Sequence, residues 1–139
     1  MIERYGIGRA AAALAAIALA LGQLACGPSA PAPAGALDVR GSWEMVAIAD
    51  GSQYPQTLRI QSEDLTTGKF SGSDVGGGAT FLVTGSLSGA AATFLTTGGG
   101  YTSNATARIS GSGLNATMAG TFTDSNHRSG TFTARRTSL

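Results

Sequence analysis

The sequence holds one cysteine, one histidine and one tryptophan, and each scarcity closes off a chemistry. A lone cysteine makes no disulfide within the chain, so the fold must stand on its hydrophobic core even in an oxidising compartment. A lone histidine leaves no second imidazole, and no thiol besides Cys26, for a His/Cys metal site. Charge is scarce and balanced. Arg4 and Arg9 take two of the nine basic residues and Glu3 one of the eight acidic ones, which leaves seven of each sign from Cys26 onward. No basic run is present to neutralise phosphates, which argues against a nucleic-acid partner. No Asp/Asn loop has the spacing of a calcium site. The glycine triplets Gly76-Gly77-Gly78 and Gly98-Gly99-Gly100 open no helix and form no phosphate cradle. Beyond the N-terminal tract, no segment carries helical periodicity.

What is present begins with an export signal. Residues 1–25 supply Arg4 and Arg9 in the n-region, an apolar run from Ala10 to Leu21, and small residues ahead of a cut. That run falls short of the ~20 residues a spanning helix needs. Cys26 stands where a bacterial lipoprotein signal places its lipidated residue. Ala25 and Gly27 fit that resemblance, whereas Gln23 occupies the position usually held by Leu. An ordinary cleavable signal, cut near Ala34-Gly35-Ala36, is the alternative. Gly27 to Ala36 reads GPSAPAPAGA, an extended tract with almost nothing to bury. The expected organisation is a signal peptide over 1–25, a lipidated Cys26 with a Pro/Ala-rich tether over 26–38, and a folded domain over 39–139. The protein is expected in the cell envelope, held to a membrane by its lipid, or else secreted. Gly27, in place of the Asp associated with inner-membrane retention, points to the outer membrane or cell surface.

The folded domain shows a period of two. Tyr101, Ala105, Ala107 and Ile109 share one face, opposite Thr102, Asn104, Thr106, Arg108 and Ser110. Leu114, Ala116, Met118, Gly120 and Phe122 form the next dry face, and Gly130, Phe132, Ala134 and Arg136 the last. The tetrapeptide GTFT occurs at Gly120 and again at Gly130, with Gly and Phe inward and the threonines outward both times. A glycine beside an inward ring lets a strand bend while the ring covers the bare backbone. Asp124 to His127 between the copies reads as a hairpin turn. The same rule places eight strands at about 40–49, 55–62, 67–73, 79–88, 92–97, 101–110, 114–123 and 128–136. Short connections predict antiparallel hairpins. The predicted fold is all-β, an eight-stranded antiparallel up-and-down β-barrel without exposed edges, with a two-sheet β-sandwich as the alternative.

The first strand opens on Gly41-Ser42-Trp43, and the last ends with Arg136 on the inward parity. This pair resembles the calycin group of barrels, the lipocalins and avidins. That resemblance implies that Arg136 lays its side chain over Trp43 to close the base, a favourable cation–π stack. Arg135, on the outward parity, reads as a surface charge. The chain departs from the avidin pattern in having Trp43 alone, already assigned to the base, which argues against biotin. It departs from the lipocalins in lacking a disulfide and a helix after the barrel.

Alternation of hairpins puts loops near 63–66, 89–91 and 111–113 at the closed end with both termini. Loops near 50–54, 74–78, 98–100 and 124–127 form the open end, which carries Asp50, Tyr54, Asp74, Tyr101, Asp124 and His127. A small, partly apolar ligand is expected there, lined by Phe81, Val83, Phe94, Tyr101, Met118 and Phe122 with Tyr54 at the rim. The competing reading is that these rings simply fill a narrow barrel. Catalysis has little support: Ser125 or Ser129 with His127 and Asp124 crowd one tight turn, where a triad lacks room, and Glu63-Asp64 reads as a solvated turn. No catalytic residue, metal or cofactor is expected. The functional alternatives are a protein-binding module, such as an envelope protease inhibitor acting through its N-terminal segment, and a passive envelope lipoprotein.

Overall fold

A computed structural model describes residues 37–139, so Cys26 and the signal segment lie outside it. Eight strands follow in order: β1 (Gly41–Ala49), β2 (Ser52–Glu63), β3 (Lys69–Gly76), β4 (Ala79–Ser88), β5 (Ala91–Gly98), β6 (Tyr101–Ser110), β7 (Thr117–Asp124) and β8 (Ser129–Ser138). Each pairs antiparallel with its neighbour, and β8 returns to β1, closing an up-and-down barrel. The fold is therefore the calycin-type barrel and not a sandwich. Alternation along each strand is the cause: one residue in two is buried along β5, β6 and β8, and only closure covers all eight dry faces at once.

Register explains the repeated tetrapeptide. Gly120 pairs with Phe132, and Phe122 with Gly130, so each glycine of one copy stands opposite the phenylalanine of the other, and the Phe122 ring reaches over Gly130. The glycines are needed for close approach. A Cβ on Gly120 would stand 2.0 Å from the Thr106 carbonyl oxygen, and one on Gly130 would stand 1.9 Å from that of Ile48. Both obstacles are backbone, which yields little. Gly120→Ala is expected to cost about 2–3 kcal/mol, read as a lowered urea midpoint at unchanged slope.

Several strand edges differ from the sequence reading: β2 begins at Ser52 rather than near 55, β3 covers Lys69–Gly76 rather than 67–73, and β7 begins at Thr117 rather than near 114. Leu114 is not on a dry face: it sits in a short 3₁₀ turn, Gly113–Asn115, and is 55% exposed. Leu114 has no cross-strand partner, because β7 begins only at Thr117.

The lower half of the barrel is packed solid. Trp43, Leu58, Ile60, Val83 and Met118 are fully buried there with Val39 and Leu87. The Trp43 indole N–H donates to the Val39 carbonyl at 3.0 Å. The Arg136 guanidinium lies 5.5 Å from the Trp43 ring and donates to the carbonyls of Asp38 (3.1 Å) and Arg40. The segment before β1 is thus stitched across the base, and Leu37 packs against the core as well. Asp38, hydrogen-bonded and paired to Arg40, has its carboxyl pushed down to about 2. Glu63 corrects the expectation of a solvated turn. Its carboxylate is part-buried, which pushes its pKa up, and it accepts the Val39 N–H at 2.8 Å, which offsets part of that rise. Asp64, by contrast, caps its exposed turn through Thr66 and Thr67.

Candidate functional site

The upper half is hollow. Three of the four hairpins at this end are two-residue turns, Asp50-Gly51, Gly77-Gly78 and Gly99-Gly100. All six residues have left-handed φ, from 51° to 82°, the geometry that matches the twist of paired strands. Both glycine triplets therefore serve as tight turns. The fourth hairpin, 125–128, is held by Asp124. Its Oδ1 accepts the N–H groups of Asn126 (2.9 Å) and Arg128 (3.0 Å), and its Oδ2 accepts Arg128 Nε at 2.9 Å. Burial opposes that charge, but the Arg128 contacts prevail and keep the carboxyl below its ordinary value. Ser125 Oγ accepts the Thr102 N–H. The turn thus uses both Asp124 and Ser125 structurally, and neither is hydrogen-bonded to the His127 imidazole. Among the described residues no group of three His, Cys, Asp or Glu could hold a metal ion.

Between these turns opens a cavity of about 570 Å³. Tyr54, Phe81, Phe94, Tyr101 and Phe122 all line it, with Met45, Ala47, Ala105 and Phe132. Phe81 and Tyr101 are 5.3 Å apart, and Phe94 and Phe132 meet edge to face at 5.7 Å. Val83 and Met118 do not line it. Both are buried in the packed base, 0% and 1% exposed; their inward parity is as expected, but they sit too deep. At the rim the Arg128 guanidinium lies 5.5 Å from the Tyr54 ring. Tyr54 itself belongs to β2, paired with Ala47, rather than to a loop.

The sequence reading places Asp74 at the open end but not in the cavity wall, and does not name Thr96 or Ser103. Asp74, Thr96 and Ser103 are buried and line the cavity. With Arg136 at the base they complete the set of buried polar residues among the described residues. Asp74, expected in a loop, is within β3 and shares the inward face of Phe70 and Gly72. Its cross-strand neighbours are Leu58 and Phe81. Burial pushes its carboxyl up to about 6, with the Val75 amide offsetting part of the shift. Burial also pushes up the Tyr101 hydroxyl.

A closed eight-stranded barrel with a sealed base and one open mouth is a calycin-type, avidin-like small β-barrel. Comparison with known proteins agrees on the fold. The solved structure of apo shwanavidin matches with a TM-score of 0.52 and 13% identity, over 71% of this chain and all of that one. No family model matches the sequence, and no curated protein matches it.

Proposed function

We propose that this protein is an exported binding protein for a small, partly apolar molecule that enters the open end of the barrel. The observation that supports this most is the half-hollow interior. A barrel filled by its own side chains would pack along its whole length, whereas here a sealed base floors an aromatic-lined cavity of about 570 Å³, within the ~300–1,000 Å³ of small-molecule sites. On this reading Cys26 carries a lipid, residues 27–36 form the tether, and the mouth faces away from the membrane, because Leu37 leaves the barrel beside the base.

The test is native mass spectrometry of the protein recovered from its own host. An extra mass released by denaturation is expected. Tyr101→Ala should reduce its occupancy about tenfold, the worth of burying one aromatic face, while Leu95→Ala, on the exposed outer surface, should leave it unchanged. A bare mass would sink the carrier reading and favour a protein partner of the tether or rim.

A further inference from the structure

Among the described residues Asp74 is a buried carboxylate with no side-chain partner, its one offsetting contact being the Val75 amide. Its residue is 4% exposed, its Oδ1 has no hydrogen bond, and it belongs to none of the ion pairs among the described residues. Buried carboxylates are ordinarily paired, because desolvating an unpaired one is expensive. An asparagine or threonine would fit the same wall without that penalty. The other buried polar side chains on the wall, Thr96 and Ser103, are neutral, and Gln53 and Gln56 of the lining carry no charge either. The one cation among the described residues that line the cavity, Arg128, already bonds Asp124 at 2.8 Å and covers Tyr54. A cationic ligand would therefore find a free counter-charge inside, and an anionic ligand would find none.

Building on the carrier reading above, we propose that Asp74 is the recognition group of the cavity and that the ligand carries an ammonium group on an apolar body. The ammonium pairs with the Asp74 carboxylate through charge-assisted hydrogen bonds. The body lies among Phe81, Phe94, Tyr101 and Phe122, whose ring faces also attract a cation.

Three probes sharing one indolyl-ethyl body separate the possibilities: tryptamine (ammonium), tryptophol (hydroxyl) and indole-3-propionate (carboxylate), titrated calorimetrically at pH 8. Tryptamine is expected to bind at least ~tenfold more tightly than tryptophol, because only the ammonium meets the charge, and indole-3-propionate should not bind. Asp74→Asn should erase the preference for tryptamine while leaving tryptophol within ~threefold of its wild-type affinity, as apolar contacts are untouched. Tryptamine binding should also weaken as pH falls through about 6, where Asp74 takes up a proton. The shifted groups nearby move away from that range: β4 contributes no titratable group, burial pushes the Tyr101 hydroxyl of β6 up, and the Arg128–Asp124 pair holds the guanidinium up and the carboxyl down. Equal affinity for tryptophol, tight binding of indole-3-propionate, no tryptamine binding, or full tryptamine affinity in Asp74→Asn would each overturn the assignment. A released cargo with no basic nitrogen would overturn it too while leaving the carrier reading intact, whereas a bare native mass would overturn both.

Discussion

Trp43→Ala is expected to destabilise the barrel by about 3–5 kcal/mol, the cost of emptying a large buried aromatic site. That is a large share of the ~5–15 kcal/mol that holds a small domain together, and no disulfide is available to make it good. The loss has identifiable parts. The ring is fully buried, its N–H leaves the Val39 carbonyl unpartnered, and the Arg136 guanidinium loses the face it covers. Arg136→Met keeps similar bulk but withdraws both donors from the Asp38 and Arg40 carbonyls, for about 2–4 kcal/mol. Because the two side chains touch, their effects should not add. A double-mutant cycle by urea denaturation is expected to give a coupling of about 1–2 kcal/mol. Strict additivity would mean that the stack closes the base without stabilising it.

Asp74→Asn is expected to act the other way and raise stability. The Asp74 carboxyl titrates at about 6 in the folded protein, against 3.8 unfolded. Between those values the folded state holds a proton that the unfolded state has released. Stability from this group is therefore complete below about pH 4 and is lost as pH rises to about 6, by roughly 3 kcal/mol. The asparagine removes that slope. At pH 7.5 the variant should be about 1–3 kcal/mol more stable than wild type, and near pH 4 the two should coincide. Asp38, held down near 2 by Arg40, has the opposite dependence in a lower window and cancels between the two proteins. A variant less stable than wild type at pH 7.5 would show that Asp74 has a stabilising partner.

The architecture was legible because alternation is a local signal. Phe132, Ala134 and Arg136 announce an inward face two residues at a time, and eight such faces with short connections leave few topologies. Depth was harder to see. Parity tells whether Val83 and Met118 point in, but how far they lie below the mouth depends on register, which the pairing of Gly72 with Val83 and Ile109 with Met118 supplies. Asp74 was hidden by its surroundings: SGSDVGGG looks like the approach to a turn, and the lone apolar residue nearby, Val75, faces out at 44% exposure. Extending the parity of Phe70 and Gly72 by one step was the available clue. The reciprocity of the two GTFT copies likewise needed the register of β7 against β8.

The brevity of the mouth turns bears on time rather than affinity. Lids that trap a substrate are built from segments long enough to swing across an opening. Here three connections have two residues and the fourth has four, with Asp124 clamped inside it. No connection at this end has the reach to cover a bound guest. Entry and exit share one ungated path, so the dwell time follows directly from the strength of the wall contacts. On the carrier reading, a guest that survives recovery from the host is therefore held by the wall and floor contacts alone, with no described connection to slow its escape.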